Sequence, residues 1–279
     1  MKKNLWVKLG AGLAALSLLS ACGGGAKADG NEDSGNHGED KIKSAGVLKV
    51  GTEAQYAPYE FKDADAKIVG ADIALAQKIA DDLGVKLEVV DMKFEGIIPA
   101  VQSGQVDLGI AAFSNTPERA KEVDFSNIYD KSEQMLVVDA QNKDKYTSVD
   151  ALSGLKVGAQ KGTIQSNLIT KELTKSTLFE LDKFPALALE VQNGNIAGLV
   201  ADASVAKSLI SGSCGKLAAA NFTFTSEAAK VGKAVVIKKG NSGLVDAVNK
   251  SVDAFVSDGS WDKAYAQAVK QAKSLGLGQ

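Results

Sequence analysis

The stretch DLGIAAFSNTPERAKEVDFSNIY, Asp107–Tyr129, contains Arg119, the only arginine in a chain of 279 residues. Its pattern predicts a short buried strand, a turn, and then a helix with Thr116 as N-cap and Pro117 at the first helical position. Free N–H groups at a helix start, together with one planar and permanently charged guanidinium, favour an anion such as a carboxylate. The stretch therefore indicates an anion-binding site, although a surface arginine after an ordinary strand and turn would give the same letters.

Outward from this stretch, predicted strands and helices alternate along the chain. The first set consists of strands at 47–51, 86–90 and 106–110 and of helices at 71–83 and 94–102. A second set begins near residue 156 and repeats the order of elements without repeating the residues. Such alternation predicts an α/β fold with parallel sheets and helices on both faces, in which ligands bind beyond the carboxyl ends of the strands.

Polar and aromatic residues follow several of these strand ends. The segment QKGTIQ, Gln160–Gln165, is typical of a glycine turn into a helix, which supplies a second set of free N–H groups. Asp202 stands between an apolar strand and a helix, where an acid is more often an N-cap than a ligand contact. Glu53 follows the first strand, where a solvated loop acid is the ordinary interpretation. Tyr56 and Phe94 are more often core or rim aromatics than rings that stack on a ligand.

The composition excludes several classes of function. Hydrophobic residues make up 45% of the chain and charged residues 24%, as in soluble globular proteins. The net charge of -2 and the lack of a basic cluster in the sequence argue against nucleic acid as a partner. The single histidine, His37, lies in a glycine- and charge-rich segment, which argues against Ser-His and Cys-His hydrolases and histidine-rich metal sites. No cofactor and no metal are expected.

The N-terminus has the pattern of a bacterial lipoprotein signal. Basic residues come first, an apolar run follows at 9–19, and the letters LSAC end at Cys22, whose thiol would carry the lipid. A plain secretory signal with a cysteine there by chance is the alternative. We expect a signal peptide at 1–21 and, at 22–44, a flexible tether that holds the folded body at the membrane surface.

Several segments carry a resemblance to a known family: VGTE and YAPYEF within 50–61, GADIALA at 70–76, FEGIIPA and GQVD within 94–107, and TPER with VDFS within 116–126. With these segments the chain resembles the type II periplasmic solute-binding proteins, specifically the amino-acid-binding group that serves ABC importers. The resemblance covers roughly residue 43 to the C-terminus. It implies two Rossmann-like α/β lobes joined by a two-strand hinge, with lobe 1 at 45–131 and 232–279 and lobe 2 at 132–231.

The resemblance also implies a role for each matched residue. Arg119 would bind the α-carboxylate of an amino acid, helped by backbone N–H groups near Ser114 and Thr163. Asp202 would bind the α-ammonium group, together with the Ser114 hydroxyl and the carbonyl of Ala112. Tyr56 and Phe94 would enclose the stem of the ligand between their rings. Glu53, Gln160 and Gln165 would face its far end, and the apolar Ile164 would line the site.

A count of charges then favours a ligand with a cationic side chain. Arg119 would offset the ligand's carboxylate and Asp202 its ammonium group, which leaves Glu53 unpaired in a partly desolvated cleft. Arginine or lysine would offset that remaining charge. An amide could also satisfy Glu53, so neutral polar ligands such as glutamine, histidine and cystine stay open.

The resemblance further implies how such a protein works. Crossings near 130–134 and 229–233 would let the lobes close on the ligand, because the ligand makes contacts in the closed form that the open form lacks. The closed form would then dock on an ABC permease in the same membrane. The expected protein is an extracytoplasmic monomer, anchored to the cell membrane by the lipid on Cys22.

Two other classes of protein are alternatives. A dehydratase-type enzyme on the same fold would keep Arg119 for a carboxylate and use Glu53 or Asp202 as a general acid. The sequence pairs no histidine or lysine visibly with these acids, so no enzyme is expected. A surface adhesin or a sensor module would need neither a closed cleft nor a permease.

Overall fold

The computed structural model describes residues 37–277, so the predicted signal peptide, the lipidation of Cys22 and the first part of the predicted tether lie outside the described residues. Within this range the strands are β1 (Val47–Thr52), β2 (Gln55–Tyr56), β3 (Glu60–Lys62), β4 (Ile68–Val69), β5 (Lys86–Asp91), β6 (Leu108–Gly109), β7 (Val123–Phe125), β8 (Asp130–Asp139), β9 (Lys156–Gln160), β10 (Thr177–Leu181), β11 (Gly198–Asp202), β12 (Leu217–Ala219), β13 (Lys230–Lys233) and β14 (Val236–Lys238). The α-helices are α1 (His37–Ala45), α2 (Ala71–Leu83), α3 (Phe94–Ser103), α4 (Ile164–Glu172), α5 (Phe184–Gln192), α6 (Ala203–Gly212), α7 (Ser242–Ser257) and α8 (Ser260–Ser274).

Two sheets divide these elements into two lobes, and the predicted two-lobed α/β fold is confirmed. The first lobe has the strand order β5-β1-β6-β14-β7 and the second the order β10-β9-β11-β8-β12. The predicted parallel pairing holds for β1 with β5 and β6, and for β9 with β10 and β11. The prediction of wholly parallel sheets is wrong, because β14 and β8 run antiparallel to their neighbours. Each antiparallel strand belongs to a chain segment that passes between the lobes.

The two crossing strands lie side by side. β8 leaves the first lobe at Asp130 and continues into the second sheet, and β13 returns to end at Lys233. Residues Asp130–Glu133 pair antiparallel with Lys230–Lys233. This is where the sequence predicts the hinge, although the movement of the lobes and their exact boundaries stay predictions.

Helix α2 illustrates how the sequence builds the first lobe. Leu75, Ala76, Ile79 and Ala80 lie on one face of this helix and are fully buried against the core. The helix begins directly after Gly70, whose backbone (φ 132°, ψ 176°) is essentially restricted to glycine. A Cβ at this position would lie 2.1 Å from the carbonyl oxygen of Tyr59. The glycine therefore lets α2 begin in contact with the small β2–β3–β4 sheet, which carries site residues.

The tether prediction is wrong for residues 37–44, which belong to helix α1. The segment is rich in charge, yet Ile42 is buried in the main core cluster, and Lys43 pairs with Glu39 one turn earlier at 2.6 Å. Gly46 follows the helix in the left-handed conformation (φ 69°) that commonly ends helices. One buried isoleucine and a good helix end are thus enough to order a segment whose composition suggests a linker.

Across residues 37–277, none of the helices combines the length and apolar character needed to cross a lipid bilayer.

Candidate functional site

All eleven ligand-contact residues predicted from the sequence line one cavity between the two lobes. The first lobe supplies Glu53, Tyr56, Phe94, Ala112, Ser114 and Arg119, and the second supplies Gln160, Thr163, Ile164, Gln165 and Asp202. Three further lining residues, Glu60, Ala111 and Lys233, do not belong to the predicted set. Whether any of these residues binds a ligand stays a prediction, but the cleft brings all of them together.

The ends of strands place most of these side chains, as expected for α/β sheets. Glu53 follows β1, Gln160 is the last residue of β9 and Asp202 the last residue of β11. Thr163 precedes α4, whose first backbone N–H groups have no partner within the helix. The predicted glycine turn into a helix at Gly162 is confirmed, so one set of free N–H groups lies at the cavity.

The other predicted helix start is wrong. After Thr116 the chain forms a single 3₁₀ turn, Arg119–Lys121, and not an α-helix. The chain turns at once into β7, which pairs with β14, so no length remains for a helix. The Thr116 hydroxyl still accepts a hydrogen bond from the backbone N–H of Arg119 at 3.3 Å. The dipole of a helix therefore adds nothing here, and the guanidinium has to carry the anion affinity of this stretch.

Arg119 is held at the cavity by carbonyl oxygens and aromatic rings. Its guanidinium donates to the carbonyl of Ser114 at 3.0 Å and, across the cleft, to the carbonyl of Gly162 at 3.1 Å. It lies 5.4 Å from the ring centre of Phe94 and 5.2 Å from that of Phe113. Burial lowers the pKa of Arg119 to about 10, so it stays charged at neutral pH. Among the described residues no carboxylate forms a salt bridge with it, and three of its five donors remain for another partner.

The two aromatic residues predicted to enclose a ligand contact other rings in the structure. Phe94 stacks on Phe113, with ring centres 4.5 Å apart. Tyr56 packs against Tyr59 and Phe184, and its hydroxyl donates to Asp202 across the cleft. Both residues line the cavity, so their predicted role stays open, but Tyr56 also links the lobes directly.

Asp202 lies in a buried ion pair that was not predicted from the sequence. Its Oδ2 accepts from the ammonium group of Lys233 and from the Tyr56 hydroxyl, and its Oδ1 accepts from Gln134 at 2.6 Å. Burial alone would raise the pKa of Asp202, but the Lys233 ammonium group and these hydrogen bonds outweigh burial and hold the pKa below its ordinary value. The sequence-based view that no lysine accompanies the acids of the site is therefore wrong.

Glu53 is the acid of the cavity that titrates near neutral pH. Its side chain is buried and accepts a hydrogen bond from Gln160 of the second lobe at 3.2 Å. Burial raises the pKa of Glu53 to about 7, against the opposite effect of the Gln160 hydrogen bond. Glu53 therefore changes charge within the physiological range and would respond strongly to a cation placed beside it.

A second pair of buried acids, Glu60 and Asp72, supports the cavity wall. Asp72 accepts from the backbone N–H of Ala112 at 2.7 Å and from the Tyr129 hydroxyl at 3.0 Å. These bonds hold Ala112 in a left-handed conformation (φ 47°) that alanine rarely adopts. Burial raises the pKa of Asp72 to about 6, and burial with the neighbouring Asp72 raises that of Glu60 well above its ordinary value. Burial and the neighbouring Asp72 therefore disfavour the charged form of Glu60.

The chain is similar to known proteins of one family. Residues 48–271 match the model of the bacterial extracellular solute-binding proteins, family 3. The arginine-binding extracellular protein ArtP of Bacillus subtilis is 31% identical over 94% of this chain and 96% of its own length. An amino acid ABC transporter substrate-binding protein, AbpA of Streptococcus pneumoniae, bound to L-arginine, is 35% identical with a TM-score of 0.81 over 86% of this chain and all of its own. The ancestral amino acid-binding protein AncCDT-1, a precursor of cyclohexadienyl dehydratase, is 33% identical with a TM-score of 0.75 over 82% and 98% of the two chains.

Proposed function

This chain belongs to the bacterial extracellular solute-binding proteins of family 3, and we propose that it captures one amino acid between its lobes and delivers it to an ABC permease. The observation that carries the proposal is the guanidinium of Arg119. It lies at the cavity, hydrogen-bonds only carbonyl oxygens among the described residues, and keeps donors for a carboxylate. The free N–H groups at the start of α4 add to the same anion site.

Arginine is the ligand that we propose first. Two of the similar proteins named above bind or are named for arginine, and a guanidinium beside Glu53 would offset a buried negative charge. Tyr56 and Phe94 would contact the aliphatic stem, and Gln160 and Gln165 would face the far end beside Glu53. Lysine is the second choice, and glutamine, histidine and cystine are the neutral alternatives.

Closure of the lobes is the proposed mechanism, because the lobes already contact each other through residues of the cavity. Tyr56 donates to Asp202, and Arg119 to the carbonyl of Gly162. At the rim, Lys93 pairs with Asp182 at 2.7 Å and Lys161 with Glu95 at 3.2 Å. A ligand that bridges the same lobes would favour this arrangement by its additional contacts, and the permease would recognise the closed form.

A thermal-shift screen against the twenty amino acids tests the proposal directly. At a ligand concentration of about 100 times Kd, mass action adds about 2.7 kcal/mol to the free energy of unfolding, which corresponds to roughly 5–10 °C in Tm for a protein of this size. We expect the largest shift with arginine and the next with lysine. Equal shifts with neutral amino acids would remove the charge argument, and no shift with any amino acid would contradict the proposal.

The affinity for arginine is expected to rise with pH. A guanidinium beside Glu53 favours the ionised carboxylate, so binding below the pKa of about 7 has to displace a proton. Between pH 5.5 and 8 we expect Kd to fall by roughly thirtyfold, measured by calorimetry. Asp72 also titrates in this range, with a pKa of about 6, so the variant Glu53→Gln is needed to assign the effect. Glu53→Gln should flatten the profile, whereas Glu88→Gln on the exposed face of β5 should leave it unchanged; a sloping profile in Glu53→Gln would contradict the assignment.

We propose that the site binds its ligand without chemistry. An enzyme on this fold is the alternative, because the chain is similar to a precursor of cyclohexadienyl dehydratase. Glu53 also has a pKa suited to a general acid. A binding protein returns its ligand unchanged, so arginine recovered intact after hours with the protein supports the proposal. Conversion of any ligand from the screen would contradict it.

A lipid anchor on Cys22 is the proposed attachment to the membrane, and it is supported by the sequence pattern alone. We expect the lipidated protein in the membrane pellet and the variant Cys22→Ser in the soluble extracytoplasmic fraction. Cys214, an exposed free cysteine, provides the matched control, since Cys214→Ser should stay in the pellet. Retention of Cys22→Ser in the pellet would contradict the anchor. A monomer is proposed for the folded body and is checked by light scattering.

A further inference from the structure

Lys233 and Asp202 form an ion pair that is sealed from solvent inside the ligand cavity. Each side chain is only 1% exposed, and Lys233 Nζ lies 2.5 Å from Asp202 Oδ2. The pair joins the end of β11 in the second lobe to the end of the crossing strand β13. Both residues line the cavity. The carboxylate proposed for the ligand's α-ammonium group therefore already has an ammonium group of the protein beside it.

Few acceptor positions remain on this carboxylate. A carboxylate offers about four lone-pair sites. Lys233 and the Tyr56 hydroxyl use Oδ2, and Gln134 uses Oδ1. A ligand's ammonium group can take at most the one remaining position, next to a group of the same charge. Asp202 is thus satisfied in hydrogen bonds and in charge by the protein itself.

The backbone of Lys233 is fixed on both of its edges. Its carbonyl accepts from the N–H of Tyr129 at 2.9 Å, and Lys233 forms an antiparallel bridge with Ser114. The neighbouring Ala234 donates to the carbonyl of Phe113 at 2.9 Å. The ammonium group therefore projects from a strand that is held against the cavity wall, and it is a built part of the site.

The other charged groups of the cavity do not change the pairing of Asp202 with Lys233. Lys233 pairs with Asp202 and not with Glu60. Burial and the neighbouring Asp72 raise the pKa of Glu60 and so disfavour its charged form. Arg119 and Glu53 are then the groups left for the ligand, one a cation and the other an acid that ionises near pH 7. These two match a carboxylate and a distal cation, and neither of them requires an α-ammonium group.

We propose that Lys233 is the internal counter-ion of Asp202, so that the cleft recognises a carboxylate and a distal cation and tolerates the loss of the ligand's α-amino group. The inference rests on the proposed function and names its substrate class: ω-guanidino and ω-amino carboxylates as well as the corresponding amino acids. A binding site that relied on the ligand for the counter-ion would behave in the opposite way. Removal of the α-amino group would leave a buried carboxylate unpaired, a change that rejects ligands by factors of about 10⁴.

Calorimetry of the wild-type chain with L-arginine and with 5-guanidinopentanoate, its des-amino analogue, tests the inference. We expect the two dissociation constants to lie within about tenfold of each other. In Lys233→Met, Asp202 loses its internal counter-ion. The ratio of the two dissociation constants should then widen to a hundredfold or more. Lys238→Met on the exposed end of β14 is the matched control and should keep the wild-type gap.

Each outcome decides the inference. A hundredfold or larger ratio between the two dissociation constants of the wild type overturns it. This measurement can be made even if Lys233→Met does not fold. A narrow gap in both the wild type and Lys233→Met overturns the role of Lys233. If neither arginine nor lysine binds the wild-type chain, and the amino-acid screen shows no ligand, the proposed function fails first. Binding of an amino acid with strict rejection of its des-amino analogue leaves the proposed function intact and removes this inference alone.

Discussion

Arg119→Ala is expected to weaken amino-acid binding a hundredfold or more. Two charge-assisted hydrogen bonds to the ligand's carboxylate would be lost, each worth about 1.5–3 kcal/mol, and tenfold in Kd corresponds to about 1.4 kcal/mol. No other cation of the described residues lies free at the cavity to replace the guanidinium, because Lys233 is paired with Asp202. Calorimetric titration of the variant with arginine measures the loss. Binding within threefold of the wild type would contradict the carboxylate role.

Two further variants separate the charge of Arg119 from its shape. Arg119→Lys keeps a positive charge but loses the planar fork, so we expect a loss of about tenfold, between those of the wild type and the alanine variant. Lys121→Ala removes an exposed cation from the same 3₁₀ turn and should leave the affinity unchanged. Because Arg119 also bonds the carbonyls of Ser114 and Gly162, a melting curve of each variant shows whether the fold survives before binding is interpreted.

The sequence could predict where the site lies because strand ends and family motifs are local signals. Glu53, Gln160 and Asp202 each follow an apolar run, and the carboxyl ends of parallel strands meet at one edge of a sheet. Arg119 stands out by composition alone, as the only arginine of the chain. These residues converge on one cavity in the structure.

The features that the sequence could not predict depend on contacts between distant segments. Lys233 stands among valines and lysines in a strand pattern, and its burial follows only from the position of Asp202 in the other lobe. The missing helix after Thr116 has the same kind of cause, because the pairing of β7 with β14 overrides a good N-cap and a proline. In α1 a single buried side chain, Ile42, decides between a tether and a helix, and composition does not show where it packs.

The charge count changes once Lys233 is included. Asp202 is neutralised by the protein, and the preference for a cationic side chain still depends on Glu53. The preference for arginine survives, since Glu53 remains without a cation in hydrogen-bond contact among the described residues. Because this preference depends on one carboxyl group with a pKa of about 7, the pH dependence of binding is a sharp test of it.

Lys233→Met is expected to destabilise the fold by about 3–5 kcal/mol, since it leaves Asp202 buried with an uncompensated charge. At about 2–4 °C per kcal/mol for a protein of this size, Tm should fall by roughly 6–20 °C. The hydrogen bonds from Tyr56 and Gln134 remain, so the loss measures the cation and not the whole network. Denaturant unfolding followed by circular dichroism gives the free energy, and Lys238→Met should stay within about 0.5 kcal/mol of the wild type.

The double variant Asp202→Asn/Lys233→Met distinguishes lost charge balance from lost packing. With both charges removed, no unpaired ion is buried, so most of the stability should return.

The pH dependence of the stability distinguishes charge from packing independently. The lowered pKa of Asp202 stabilises the wild type above the unfolded-state value of about 3.9, and this stabilisation is lost as the pH falls through the folded-state value. In Lys233→Met, burial without a cation raises the pKa of Asp202 instead, so the variant gains a proton on folding. The difference in unfolding free energy between the wild type and Lys233→Met therefore narrows below about pH 5. A gap that is constant from pH 7 to pH 4, with no recovery in the double variant, would show that Lys233 contributes packing and not charge.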